Sequence, residues 1–182
     1  EAFGEGKRIM VQVNEPFTYQ GETLEQLDSL YQNGIGYVVV EKLDKTPVDA
    51  FSTYVNQHPI VTVTYRYNDI DKLAFDVLHE LCHIEKHFSE EHTSFISIEG
   101  TIYSKDPREK EANDFAKEHL IPCEVWNKIL SGKSSSLSPH IVVKAIAKEA
   151  EKYGISPTIA VSRYKHDTNW YQTSAYKSSR IY

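Results

Sequence analysis

The run His79-Glu80-Leu81-Cys82-His83 brings together residue types that can do chemistry. On an α-helix two histidines four apart lie about 40° from each other, so both imidazoles can meet one ion, and tetrahedral zinc accepts that bite. Glu80 sits about 100° from His79, beside the ligands, where its carboxylate can reach a water at the metal. The spacing therefore predicts a zinc hydrolase site. His79 and His83 are ligands, and Glu80 is the base that takes a proton from water as it attacks an amide carbonyl. His87 continues the series one more turn, about 6 Å along the axis. That is too far to share the ion comfortably, and it is expected to line the cleft or face solvent.

Catalytic zinc usually has a third protein ligand. The next helical stretch offers Glu109, Glu111, Asp114 and Glu118. Glu109 is expected to serve in a capping box with Asp106. Glu111, Asp114 and Glu118 share one broad face, and spacing alone does not choose among them.

A helix must carry the first run. Asn68, Asp69 or Asp71 can cap it, Leu73, Val77, Leu81 and Ile84 give it an apolar stripe, and it is expected to run to about His87. Before it, residues 60–65 alternate apolar and polar and predict a strand with one exposed face, able to pair at an edge with an extended peptide. Tyr65 and Tyr67, at its end, can line a cleft. Residues 36–43 predict a buried strand, 46–59 a loop with a short strand or turn, and 22–32 a helix with Gly34 as its left-handed cap. After the metal helix, 89–92 is charged and solvated, and Phe95-Ile96-Ser97-Ile98 with Thr101-Ile102-Tyr103 suggests a strand or hairpin. Asp106-Pro107-Arg108-Glu109 begins a helix to about Leu120, and a shorter one spans 124–130. Residues 131–136 read as a flexible linker; their Gly-Lys-Ser lacks the upstream glycine and strand of a phosphate loop. Ser138-Pro139 opens a helix to about Tyr153, stopped by Gly154, and Ser156-Pro157 opens another to about Lys165.

The helix pair resembles the ImmA/IrrE family of metallopeptidases, whose pattern places His-Glu-x-x-His on one helix and Glu-Ala-Asn-x-Phe-Ala on the next. Here these are His79-Glu80-Leu81-Cys82-His83 and Glu111-Ala112-Asn113-Asp114-Phe115-Ala116, closed by Leu120-Ile121-Pro122. The resemblance extends over about 34–166, taking in 61–75 and, more loosely, Gly154-Ile155-Ser156-Pro157 with Val161 and Arg163. It implies Glu111 as the third ligand, Glu80 as the base, Zn2+ as the cofactor and a protein substrate. Members often act on transcriptional repressors, and are commonly fused to or encoded beside helix-turn-helix domains, some of them antitoxin-like. No such domain is evident in this sequence. Two departures stand out. Cys82 occupies a position that is often Gly and is expected to be a small buried hydrophobe. Phe115 stands where a supporting Asp would follow the third ligand, so support for the histidines must come from elsewhere, with Asp76 and Asp114 as candidates. His166 and Tyr164, near the end of the last helix, are candidates to assist the tetrahedral intermediate, although a histidine at a helix terminus has an ordinary reading as well.

The 182 residues are 40 % hydrophobic and 25 % charged, enough for one domain with a real core. A formal net charge of -6 argues against direct nucleic-acid binding. No run approaches the ~18 apolar residues of a membrane span. No signal peptide is visible at Glu1-Ala2-Phe3, and a first residue other than Met points to a fragment or processed product. Two cysteines, Cys82 and Cys123, are too few for a disulfide scaffold, which suits the cytoplasm. The expected fold is α+β and zincin-like. A small mixed sheet from 36–43, 60–65 and 95–103 packs on the metal helix and the helix 107–120, with C-terminal helices beyond. The metallopeptidase-like domain is placed at 21–166, between an N-terminal segment 1–20 and a tail 167–182. The expected function is a zinc-dependent endopeptidase. The alternative is a regulatory or metal-sensing domain of a helix-turn-helix regulator or antitoxin with little or no peptidase activity. His and carboxylate ligands also suit other divalent ions.

Overall fold

The computed structural model describes residues 18–19, 22–23, 30, 33–40, 48–55, 58–64, 69–89, 94–98, 106–131 and 138–170. The strand expected at 101–103 and most of the helix expected at 22–32 lie outside them; residues 22–23, the expected start of that helix, form a strand instead. Also outside the described residues are Tyr65, Tyr67, residues 132–136 of the expected linker and most of the two terminal segments.

The architecture is α+β. Two short strands, β1 (Thr18–Tyr19) and β2 (Glu22–Thr23), pair antiparallel. The main sheet contains β3 (Gly36–Val40), β4 (Val48–Val55), β5 (His58–Thr64) and β6 (Ser94–Ile98) in the order β3-β5-β4-β6. β3 runs parallel to β5, with Gly36 opposite Ile60, and the other pairings are antiparallel. A side chain at Gly36 would press on Ile60, since a Cβ there would come within 3.2 Å of Ile60 Cγ1.

Two strand expectations are corrected. Residues 46–59 are mainly the eight-residue strand β4, not a loop. β5 is not an edge, because β3 and β4 take both its hydrogen-bonding sides and residues 60–63 are buried. It therefore cannot add a peptide strand.

Helix α1 (Ile70–Cys82) follows β5 and continues into a single π-helical turn, His83–His87, closed by the Phe88 amide on the His83 carbonyl at 3.0 Å. Its stripe Ile70, Leu73, Val77, Leu81 and Ile84 packs with Ala50, Val61 and Val63 of the sheet. Period-2 alternation along β4 puts Ser52 on the same face as Ala50, toward this helix.

Helix α2 (Pro107–Leu120) opens as expected: the Asp106 side chain accepts from the Arg108 amide at 2.9 Å, and Pro107 holds the first position. α3 (Cys123–Leu130), α4 (Pro139–Glu151) and α5 (Pro157–Thr168) complete the chain's described part. They share a second core around Ile121, Trp126, Ile129, Val143, Ile146 and Val161. Arg163 of α5 joins that core to α2. Its Nη1 donates to the carbonyls of Lys117 and Ile121, and its guanidinium lies over the Trp126 ring at 4.9 Å. Gly154, with φ +69°, turns the chain between α4 and α5, in the left-handed region where glycine has no Cβ penalty. Among the described residues, no helix is long and apolar enough to cross a membrane.

Candidate metal centre

His79, on the buried face of α1, and His83, the first residue of the π-turn that continues it, lie one turn apart with their Nε2 atoms 3.0 Å from each other. The carboxylate of Glu109, in the first turn of α2, meets both. Its Oε2 is 3.2 Å from His79 Nε2 and its Oε1 3.3 Å from His83 Nε2. Among the described residues these three form the one group with metal-ligand spacing. The spacing fits zinc: ligands at about 2.0–2.1 Å in a tetrahedron stand roughly 3.3 Å from each other, close to the three separations seen. Two neutral imidazoles and one carboxylate also suit the ion's chemistry.

The carboxylate that the fold delivers is thus Glu109, and the assignment of the third position to Glu111 is corrected. The reason is helix geometry. Glu109, Ala112, Asn113 and Ala116 occupy one stripe of α2, with Ala112 and Ala116 fully buried. These small side chains sit where the helix meets α1. Glu111 stands about 200° around the helix from Glu109. Its oxygens pair instead with Lys86 Nζ at 3.0 Å and His87 Nε2 at 3.3 Å. The expected capping box is half formed: Asp106 caps, while the Glu109 carboxylate faces the histidines.

Electrostatics follow from this packing. Burial works against a charged His79, but hydrogen bonding to Glu109 and the nearby charge of Glu80 outweigh it, and its pKa is raised. His83 is lowered, chiefly by burial and against the pull of Glu109. Burial alone would raise Glu109; hydrogen bonds from the two imidazoles reverse that and hold it at about 2.

Glu80 is fully buried, and Ser52 of β4 donates its hydroxyl to Glu80 Oε2 at 2.6 Å. Sequence reading missed Ser52, which lay in a segment taken for a loop. It also missed Asn113, whose Oδ1 lies 3.1 Å from His79 Nδ1. With Asn113 accepting, His79 carries its proton on Nδ1 and turns the Nε2 lone pair toward Glu109 and His83. Asn113 thus supplies the orientation that Asp76 or Asp114 was expected to give. Asp76 is half-buried and paired with Lys72 at 2.7 Å, and Lys72 also reaches Asp49 at 3.4 Å. Asp114 is exposed beside Lys110, and His166 is exposed beside Asp167. Cys82 is fully buried within α1, as expected of a small hydrophobe.

An aromatic wall closes one side. Phe95 of β6 stacks on His83 with centroids 4.4 Å apart, Phe88 stacks on Phe95, and the Arg108 guanidinium covers Phe95 at 5.2 Å. The imidazoles therefore stand in a poorly hydrated setting, where charge interactions are strengthened.

Two buried histidines, the half-buried Glu109 and the buried Glu80 all lie within the stretch that a family model matches. The family model for the IrrE N-terminal-like domain of the M78 peptidases matches residues 34–165. The chain belongs to this family. No curated protein matches it. The match begins just before β3 and ends within α5, so it spans the main sheet, both site helices and the C-terminal core.

Proposed function

We propose that this M78-family domain is a zinc-dependent endopeptidase, with the ion held by His79 Nε2, His83 Nε2 and the Glu109 carboxylate. The observation that carries the reading is the meeting of these three groups at 3.0–3.3 Å from two separate helices. Zinc bound there would supply a Lewis acid that acidifies water and polarises an amide carbonyl. Glu80 is the base. Ser52 fixes one of its oxygens, so the carboxylate is positioned before substrate arrives, and the proton from water is taken at Oε1. The same acid then returns the proton to the leaving amine. Asn113 keeps the His79 ring from rotating.

A base in this place favours catalysis over a purely regulatory metal site, which has no need of one. The substrate proposed is a protein. A repressor encoded beside the gene is the first to test, following the family resemblance, and a helix-turn-helix partner belongs to the same proposal. Metal analysis of wild type, His79→Ala and Glu109→Gln tests the centre: both variants should lose stoichiometric zinc. Cleavage assays on the co-encoded repressor test the reaction. Glu80→Gln should keep its zinc and lose at least about 100-fold in rate, the usual scale of general-base removal. Metal binding with activity indifferent to Glu80→Gln would leave the regulatory reading standing instead.

A further inference from the structure

His87 and Glu111 lie outside the triad yet touch it in sequence. His83 Nδ1 is 2.9 Å from His87 Nδ1, His87 Nε2 is 3.3 Å from Glu111 Oε2, and Lys86 Nζ is 3.0 Å from Glu111 Oε1. We infer that His87 and Glu111 are positioning residues for the metal centre, a hydrogen-bonded relay that fixes which nitrogen of His83 faces the ion. The inference rests on the zinc reading above and extends it to two residues that hold no metal themselves.

Only one proton arrangement satisfies the whole chain. For His83 to present an Nε2 lone pair, its ring proton must sit on Nδ1. That proton is donated to His87 Nδ1, which must then be an acceptor. The ring proton of His87 consequently sits on Nε2 and is donated to Glu111. Glu111 accepts a second bond from Lys86, which anchors its carboxylate. Each donor meets an acceptor, and reversing any link leaves His83 with its proton pointing at the metal position.

His87 follows His83 at the same four-residue spacing that separates His79 from His83, which makes consecutive side chains neighbours on a helix. The rings of His83 and His87 sit 4.9 Å apart, close to the 4.8 Å between those of His79 and His83, and the His87 side chain is only 6 % exposed. Phe95 packs against both rings, which limits their rotation. Glu111, at the open end, is half exposed, and can be changed with little structural cost.

The test is zinc affinity, measured by competition with a chromophoric chelator, in wild type, Glu111→Gln, His87→Phe and the double variant. Phenylalanine keeps the aromatic packing on Phe95; should it fail to fold, His87→Gln takes its place. Partners that orient a ligating histidine typically contribute 10–100-fold in affinity. Each single variant should bind zinc about tenfold or more weakly. The double should be no weaker than His87→Phe, because Glu111 acts through His87. Nitrogen-15 NMR of the zinc-loaded protein should place the ring proton on Nδ1 of His83 and on Nε2 of His87. An affinity within twofold of wild type for Glu111→Gln overturns the relay. So does a full additional loss in the double, which would show Glu111 acting directly on the metal. Wild-type protein that binds zinc no better than His79→Ala marks a different failure, that of the zinc reading itself.

Discussion

Replacing Ser52 by alanine deletes one buried hydroxyl and tests how the proposed base is held. Both Ser52 and Glu80 are fully buried, and their oxygens stand 2.6 Å apart, the short range of a hydroxyl on an ionised carboxylate. Hydrogen bonds to charged groups contribute about 1.5–3 kcal/mol. Glu80 has a further interaction besides Ser52, so its charge is not left wholly uncompensated. The expected loss is therefore at the low end, about 1.5–2 kcal/mol. For a chain of this size that lowers Tm by roughly 3–8 °C. The assay is urea denaturation of wild type, Ser52→Ala, Glu80→Gln and the double variant, in metal-free buffer. Glutamine keeps the shape of Glu80 without its charge, so in that background Ser52→Ala should cost only about 0.5–1.5 kcal/mol. The two costs should thus differ by about 1 kcal/mol, well within the reach of a double-mutant cycle. Equal costs in both backgrounds would refute the claim that the hydroxyl supports a carboxylate.

Metal removal should show in stability. Zinc at 100 times its Kd, bound by the folded chain alone, adds about 2.7 kcal/mol; a chelator should then lower Tm by roughly 5–11 °C in wild type and leave His79→Ala unmoved. Asp106 is held at about 2 by hydrogen bonds from the Arg108 side chain and amide. Since an unfolded Asp titrates near ~3.9, this stabilisation is complete above that value and lost as pH falls toward 2. Asp106→Asn, which can still cap α2, should flatten the acid limb of stability measured by denaturation at each pH; an unchanged limb contradicts the assignment. Asp76 behaves oppositely. Burial raises it to about 6 despite the Lys72 ion pair, so the folded chain keeps that proton longer than the unfolded one. Stability is full below about pH 4, where both states are protonated, and declines as pH rises toward 6. Asp76→Asn should abolish the decline in the same measurement.

The helices were legible because their starts are local. Asp106-Pro107, Ser138-Pro139 and Ser156-Pro157 each put a capping type and a fixed proline φ at a first turn, and α2, α4 and α5 begin at those prolines. The strands depended on partners that the sequence does not name. β4 reads poorly because two of its buried positions are polar: Asp49 faces Lys72 and Ser52 faces Glu80. Residues placed for those contacts erase the alternation that marks a half-buried strand. In β5 the threonines suggested a solvent face, yet Thr62 is buried and the Thr64 hydroxyl donates to the Val48 carbonyl at 2.8 Å. A threonine with a backbone acceptor is as much an interior residue as a valine.

The chemistry of the site was legible wherever one helix carried it, and failed where two helices had to agree on a rotation. His79, Glu80 and His83 share a turn of α1, so their relation was fixed by the helical repeat alone. Choosing between Glu109 and Glu111 required knowing which face of α2 meets α1. That face is written in Ala112 and Ala116, whose buried methyls let the helices approach. Counting back from them by three and by seven reaches Glu109 both times and Glu111 neither time. It was the family resemblance that pointed to Glu111, whose carboxylate pairs with Lys86 and His87 instead. The two carboxylates consequently have distinct signatures on substitution. Glu109→Gln takes a ligand from the ion and should abolish stoichiometric zinc, whereas Glu111→Gln should leave the zinc in place and loosen its hold. A reversal of those outcomes would mean that α2 is rotated by about half a turn from the arrangement described, and with it every contact of Ala112, Asn113 and Ala116.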